Sequence, residues 1–361
     1  MFSRILVIKL RNIGDVLLAT PALRALREAF PRAHLAVLVN AGTEAMVTLH
    51  PAVDEVLVCP RDWKRLPWFR RVGRELEFAR RIRQGRYDLV LNLTEGDRGA
   101  ILAWLSGART RIGLQSRRGF WWKRPLFTRC ARVEPRAHMV EQNLALLRAL
   151  GLTPRPGPPE LYLAEEERAA VDRRLAEARV RPGELLVHVH PTSRWLFKCW
   201  RDEAVAEVID LLQGTRGARV VVTSGPESRQ MEKTRAILAH TRTRPLDLAG
   251  QLSLKELAAL SARAHLFFGV DTAPMHIAAA MGTPVVALFG PSGEFNWGPW
   301  GPGHAVVTKP RACRPCGQAG CGGSRRSECL ESLTVPEVMA VLDRKLAELE
   351  RHEARAGGGR G

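Results

Sequence analysis

The chain has 361 residues, 45% of them hydrophobic and 25% charged, an ordinary globular composition that excludes fibrous and disordered classes. Its length suits two domains, each able to bury a core. The longest apolar stretch, Ile277 to Gly290, is interrupted by Gly282 and Pro284 and is too short to span a bilayer. Ile5-Leu-Val-Ile8 is too short for a signal-peptide core and runs into Lys9 and Arg11, so the chain is expected to stay in the cytoplasm.

Lysine and arginine number 55 against 37 acidic residues, a net +18. Residues 1–158 hold 28 basic and 13 acidic side chains (+15), whereas residues 159–361 hold 27 and 24 (+3). A general preference for arginine does not explain why the halves differ. An anionic partner for the first half does: nucleic acid, a membrane surface or a phosphorylated glycolipid. Of the seven cysteines, Cys59, Cys130 and Cys199 are scattered like reduced thiols. Cys313, Cys316, Cys321 and Cys329 crowd into one Gly-rich, basic stretch. Four thiolates can hold a tetrahedral zinc, but a second, widely spaced Cys-x-x-Cys pair is absent. Metal site and structural loop both stay open.

In chain order, the first half reads as strands Arg4–Leu10, His34–Val39, Glu55–Val58, Tyr87–Leu93 and Thr110–Leu114. Helical patterns lie between them, among them Ala22–Phe30 and Arg70–Arg83, and Val140–Leu150 closes the half before Gly151. Thr153-Pro-Arg-Pro-Gly-Pro-Pro159 can form neither helix nor strand interior and reads as a linker over 153–160. The pattern then restarts with strands Leu185–His190, Arg219–Thr223, Leu246–Leu248, Leu266–Val270 and Val285–Phe289. Helices over 202–213, 227–240, 253–264 and 274–281 alternate with them. Repeated βα units imply an α/β fold of two doubly wound, Rossmann-like domains, 1–152 and 161–333, facing across a cleft. A C-terminal helix over 334–354 and a disordered tail over 355–361 complete the expectation.

Three strand-end loops carry candidate chemistry. In Lys9-Leu-Arg-Asn-Ile-Gly-Asp15, Gly14 allows a sharp turn, and Asp15 can either cap the next helix or accept a proton from a hydroxyl. The Gly-x-Gly-x-x-Gly of a dinucleotide site is absent here, which argues against an NAD enzyme. In His190-Pro-Thr-Ser-Arg-Trp-Leu-Phe-Lys-Cys-Trp200, Thr192, Ser193 and Lys198 suit phosphate oxygens. His188 and His190 alternate as metal ligands can, but lack further ligands nearby and read instead as packing and loop-positioning residues. In Gly269-Val-Asp-Thr-Ala-Pro-Met-His276, a helix start beginning near Asp271 and Thr272 offers free amides to an anion. Gly225 and Glu227 of Thr223-Ser-Gly-Pro-Glu227, with Gly250, Gln251 and Leu252, can line a slot for a base.

Taken together and in order, these four runs resemble the lipopolysaccharide heptosyltransferases of glycosyltransferase family nine, and the 190–200 loop is most similar to the heptosyltransferase III branch. The likeness runs from about residue 3 to 345. It implies the GT-B architecture, with an N-terminal acceptor domain and a C-terminal nucleotide-sugar domain. It also implies an inverting transfer of heptose from ADP-L-glycero-β-D-manno-heptose to a heptose of the lipid A-linked inner core. By this resemblance Asp15 matches the general base, and Thr192, Ser193 and Lys198 match donor phosphate contacts. Asp271, Thr272, Ala273 and His276 match the loop at the diphosphate and sugar, and Lys198 also stabilises the leaving group. Arg11, Asn12, Gly14, Arg61 and Lys64 are expected at the acceptor. Where other branches place a methionine beside the adenine, this chain reads Gly250-Gln-Leu252.

No Asp-x-Asp occurs, so protein cations rather than a bridging metal are expected to hold the diphosphate, with no cofactor. The resemblance places the enzyme at the cytoplasmic face of a Gram-negative inner membrane. Ten basic residues between Arg61 and Arg86, interleaved with Trp63, Trp68 and Phe69, suit an anionic membrane surface. A heptosyltransferase I- or II-like activity, or another nucleotide-sugar core transfer, is the alternative within the class. Outside it stands a basic nucleic-acid binder, disfavoured because charge alone does not call for two anion loops in one domain, so no nucleic-acid partner is expected.

Overall fold

The computed structural model describes residues 2–65, 67–115 and 121–357, with the side chains of 64, 65 and 352–357 set aside. It divides into two compact units, Met1–Tyr162 and Leu163–Gly361. No helix among the described residues is long and apolar enough to cross a membrane.

In the first unit, β1 (Arg4–Lys9), α1 (Ile13–Leu17), α2 (Thr20–Ala29), β2 (His34–Asn40) and β3 (Glu55–Cys59) are followed by α3 (Trp68–Gln84) and β4 (Leu89–Asn92). Then come α4 (Asp97–Leu105), β5 (Thr110–Leu114), β6 (Arg129–Ala131) and α5 (Met139–Ala149). The strands form one parallel sheet in the order β3-β2-β1-β4-β5-β6. Helices cover both faces of such a sheet, which is why its inner strands read as unbroken apolar runs such as Ile5-Leu-Val-Ile8.

The second unit repeats the plan. It runs α6 (Glu165–Glu177), β7 (Leu186–His190), α7 (Asp202–Arg216), β8 (Arg219–Val222), α8 (Ser228–His240), β9 (Leu246–Asp247) and α9 (Leu254–Arg263). After these come β10 (Leu266–Val270), α10 (Ala273–Ala280), β11 (Val285–Leu288), α11 (Glu294–Trp297), β12 (Ala305–Val307), α12 (Glu328–Glu331) and α13 (Val335–Gly357). Its parallel sheet has the order β12-β11-β10-β7-β8-β9. In each unit the chain winds outward from a central strand and then crosses to its other side. Loops after β1 and β4, and after β7 and β10, therefore emerge side by side at the carboxyl ends, where open α/β sheets bind ligands.

The strands expected from sequence are present with small shifts, and two three-residue edge strands, β6 and β12, are additional. Strand β1 stops at Lys9 rather than Leu10, because Arg11 N–H turns back to the Lys9 carbonyl and Leu10 N–H goes to Thr94 Oγ1 at 2.9 Å. The Pro-rich segment expected as an interdomain linker is tied at its end to the first unit. Glu160 N–H donates to Thr20 Oγ1 at 2.8 Å, its carboxylate pairs with Arg24, and Tyr162 meets the His50 ring edge-on at 5.2 Å. The C-terminal helix is part of the second core: Val338, Leu342 and Leu346, spaced by four, share an apolar cluster with Val205, Ile209 and Trp200. It continues through Gly357, so residues 355–357 of the expected tail are helical; 358–361 lie outside the described residues.

Strands β7 and β10 approach closely at Gly269, where an added Cβ would lie 2.5 Å from the His190 carbonyl oxygen. Backbone cannot yield as a side chain can. Gly269→Ala is expected to destabilise the second unit by about 1–3 kcal/mol, read as a fall in denaturant midpoint. An unchanged midpoint would refute this account of the strand pair.

Candidate functional site

In the first unit the site begins where β1 ends. Asn12, not Asp15, is the N-cap of α1. Asp15 is the third helical residue, and the two form a reciprocal capping box in which Asp15 Oδ2 accepts from the Asn12 backbone N–H at 3.3 Å. Gly14 lies within α1 and outside the left-handed region, so it does not supply the expected sharp turn. Asp15 is 8% exposed. The Arg11 carbonyl accepts from Arg61 Nη2 at 2.9 Å and from Asn40 Nδ2 at 3.1 Å. The structure thus gathers Arg11, Asn12, Gly14, Asp15 and Arg61 at one strand end. The side chain of Lys64 lies outside the described residues.

Lys9 was not anticipated as part of this site. It is only 2% exposed, and its ammonium donates to the Leu93 carbonyl at 3.0 Å and to Asn143 Oδ1 at 2.9 Å. Asn143 is itself fixed by donating to the Leu18 carbonyl at 2.8 Å. Burial pushes the Lys9 ammonium down to about 8, opposed by the negative charge of Asp15 and reinforced by Arg11. A lysine in a sequence reads as a solvated charge. Only the parallel pairing of β1 with β4 and the packing of α5 turn this one inward.

In the second unit, neighbouring strands bring the two expected anion loops together. Lys198 closes a short 3₁₀ turn after β7, and its ammonium donates to Asp271 Oδ2, after β10, at 2.6 Å. Asp271 is buried while Lys198 keeps partial exposure, so the cation retains an open side. Thr272 is the N-cap of α10, with extended backbone and no side-chain cap, and Pro274 occupies the second helical position. Ala273 begins that helix, and His276 is buried one turn in.

Thr192 and Ser193, in the same loop as Lys198, are buried. Ser193 Oγ accepts from the Trp195 N–H at 3.3 Å. Thr192 Oγ1 donates to Gln230 Oε1 at 3.2 Å, and Gln230 Nε2 donates to Glu227 Oε2 at 2.6 Å. Gln230 was missed from sequence; its one signal is its place three residues after the helix cap Glu227. Gly225 backs onto both Gln230 and Glu227.

Gly250 adopts φ +68°, and an added Cβ there would lie 2.7 Å from Met231 Sδ. Met231, on α8, thus lies against Gly250, with Ser224 Oγ 3.3 Å from its sulfur. Gln251 turns its amide to the Asp247 carbonyl, and Leu252 packs against the apolar cluster of Val221 and Leu260. An open groove of about 1390 Å³ lies beside this region, lined by Trp195, Phe197, Glu227 and Gln230 among others.

His188 and His190 form a buried polar ladder. His188 meets Ser261 Oγ at 3.0 Å and Thr223 Oγ1 at 2.7 Å, and His190 Nδ1 lies 2.8 Å from the same threonine oxygen. Burial holds His188 well below its ordinary value and His190 down to about 3, so both are neutral at physiological pH. Among the described residues no group of three or more His, Cys, Asp or Glu side chains is gathered to hold a metal.

A family model described as glycosyltransferase family 9 (heptosyltransferase) matches residues 75–324, more than two thirds of the chain. The chain belongs to glycosyltransferase family 9. It is 34% identical to lipopolysaccharide heptosyltransferase 3 of Escherichia coli K12 over 295 residues, covering 81% of this chain and 83% of that one. Among solved structures, the family 9 glycosyltransferase of Veillonella parvula superposes with a TM-score of 0.82 at 25% identity, covering 96% of this chain and 97% of that one. The ADP-heptose lipopolysaccharide heptosyltransferase II of E. coli has the same fold, with a TM-score of 0.76 at 23% identity and coverage of 96% and 99%. This family 9 enzyme is a glycosyltransferase with the paired Rossmann-like units of the GT-B class.

Lys9 gives the site a measurable pH signature. Its folded value of about 8 lies below the unfolded value of 10.5, so the unfolded chain binds more protons between these limits. The stability penalty of this buried charge is fully present below pH 8 and is relieved as pH rises from 8 towards 10.5. Wild type should gain about 3 kcal/mol over that window relative to Lys9→Met, which has no charge to lose. Parallel pH profiles of unfolding free energy for the two proteins would contradict this.

Proposed function

We propose that this family 9 enzyme transfers heptose, with inversion, from ADP-L-glycero-β-D-manno-heptose to a heptose hydroxyl of the lipid A-linked lipopolysaccharide core, in the manner of heptosyltransferase III. The work is done in the cytoplasm, at the inner face of the membrane that holds the acceptor. The observation that carries the reading is the Lys198–Asp271 pair, set at the switch point of a second-unit sheet whose rim also holds Thr192, Ser193 and the start of α10. Family membership supplies the donor class. The site supplies a partly exposed cation and helix amides for its diphosphate.

In this mechanism Asp15 takes the proton of the acceptor hydroxyl as that oxygen bonds to the anomeric carbon. The bond from that carbon to the diphosphate breaks, and ADP leaves with the electron pair. Lys198 and the Thr272–Ala273 amides balance the charge that gathers on the leaving oxygen, in the manner of any fixed electrostatic site. Asp271 orients the Lys198 ammonium, which without it would sweep a wide arc. Thr192 is held by Gln230 and Glu227 at the same rim, and Met231 with Ser224–Gly225 and Gly250 offers an apolar slot for adenine. Arg11, Asn12 and Arg61 beside Asp15 would meet the acidic sugars and phosphates of the acceptor.

Lys198→Ala is expected to weaken ADP-heptose binding about 10- to 100-fold, since a charge-assisted contact to phosphate contributes about 1.5–3 kcal/mol. Calorimetric titration with ADP-heptose reads this directly, and unchanged affinity would remove Lys198 from the donor site.

Asp15→Asn separates capping from catalysis. The carboxamide can still accept the Asn12 N–H, so melting temperature and donor affinity should hold. Turnover should fall by about 10²–10⁴-fold, because the amide cannot take the proton. A mass-spectrometric assay of heptose transfer to defined core acceptors gives the answer; near wild-type turnover would leave Asp15 with its capping role alone.

A further inference from the structure

Serine is a common N-cap, and Ser327 occupies that position before α12 with extended backbone, yet its side chain makes no cap hydrogen bond. The buried hydroxyl is spent elsewhere. It donates to the Phe197 carbonyl at 2.6 Å, across 130 residues of chain. Phe197 is the middle residue of the Leu196–Lys198 3₁₀ turn, so the bond lands one residue from the candidate donor cation.

That turn has little else to hold its backbone. None of its three residues is buried. Among the described residues its other backbone hydrogen bonds stay within the loop: Lys198 N–H donates to the Trp195 carbonyl at 2.8 Å, and Cys199 N–H to the Leu196 carbonyl at 2.9 Å. Segments with few buried contacts open and shift readily. Asp271 holds the ammonium at the tip of Lys198, but a flexible four-carbon stem separates that tip from the backbone. Ser327 fixes the other end of the stem. With both ends held, the open side of the ammonium keeps one direction.

Ser327 is itself firmly seated. After it, Leu330 and Leu333 are buried in the second core with Trp200, and the Leu333 carbonyl accepts from Trp200 Nε1 at 3.3 Å and Arg201 Nη2 at 3.1 Å. Before it comes the Cys-rich stretch. Gly320, at φ +100°, passes so close that an added Cβ would lie 2.6 Å from Arg325 Cα and Arg326 N, and Cys321 N–H donates to the Arg326 carbonyl at 2.7 Å. Cys313, Cys316, Cys321 and Cys329 line one small cavity together with Ser327. Burial pushes the Cys329 thiol up, so it packs there as a neutral group. We propose that Ser327 is a positioning residue for the transfer: its hydroxyl holds the Leu196–Lys198 turn so that the ammonium meets the donor diphosphate, and the Cys313–Cys329 stretch is the scaffold that presents it. The inference rests on the proposed role of Lys198 in donor binding.

The test is a double-mutant cycle of Ser327→Ala and Lys198→Ala, read by calorimetric titration of the full chain with ADP-heptose. Ser327→Ala alone should weaken binding by about 3- to 10-fold, the scale of one neutral hydrogen bond. In the Lys198→Ala background the same substitution should cost less than about twofold, because no ammonium remains for the turn to aim. In turnover assays of Ser327→Ala, KM for ADP-heptose should rise while KM for the core acceptor holds. An equal loss of donor affinity in both backgrounds would make Ser327 a general prop of the loop and overturn the proposal. So would wild-type affinity in Ser327→Ala. If Lys198→Ala itself binds ADP-heptose like wild type, the donor reading fails and this inference with it. If Lys198→Ala weakens binding and Ser327→Ala does not, this inference alone fails.

Discussion

The parallel pairing of β7 with β10 is the constraint on which the second unit's site depends. It places Gly269 opposite His190 and brings two loops to one edge, so that Lys198 and Asp271 meet although 73 residues apart in sequence. The close approach leaves no room for a side chain at Gly269, and its result is that Lys198 reaches Asp271 across the junction. The ammonium is then a fixed feature of the rim rather than a surface charge free to wander. Catalytic electrostatics require such preorganisation, because a cation that must be gathered during the reaction repays much of its gain in ordering entropy.

The first unit solves the same topological problem with different chemistry. Pairing of β1 with β4 again sets two strand ends together, but here the bridging group is buried. Lys9 reaches Leu93 and Asn143, both neutral acceptors, and the compensating charge is the more distant Asp15. One sheet thus carries a carboxylate with a sheltered cation behind it, and the other an open cation with a sheltered carboxylate behind it. In the proposed mechanism the first would remove a proton and the second would stabilise a leaving group.

Much of the architecture was legible in the sequence because strands covered on both faces must be apolar throughout. Runs such as Leu266-Phe-Phe-Gly-Val270 announce themselves, whereas β6 and β12, three residues each at the sheet edges, offer no period to read. Strand-end loops were found by their residue types, so Lys198, Asp271 and Asp15 stood out. Their partners did not. Asn12 and Asp15 are both good capping residues three apart, and only the geometry shows which one caps and which completes the box. Gln230 and Met231 lie on a helix that the local pattern treats as ordinary surface. Met231 shows the limit well, since its place against Gly250 is set by the packing of α8 and not by any local pattern. The Pro-rich segment was read by composition, which gives its inability to form helix or strand but not the Thr20 and Arg24 side chains that anchor it.

The sheltered ammonium of Lys9 has a consequence for protein engineering. Evolution in the laboratory under heat alone rewards replacement of any buried charge that lacks an ionic partner at contact distance. Lys9 is such a position, and an apolar substitute there would be enriched early in a thermal screen. The winners would be sturdier proteins with an altered field around Asp15. A selection scheme for this scaffold therefore has to score turnover and heat resistance on the same clones, because with Asp15 as the proposed base the two would pull in opposite directions at this strand end.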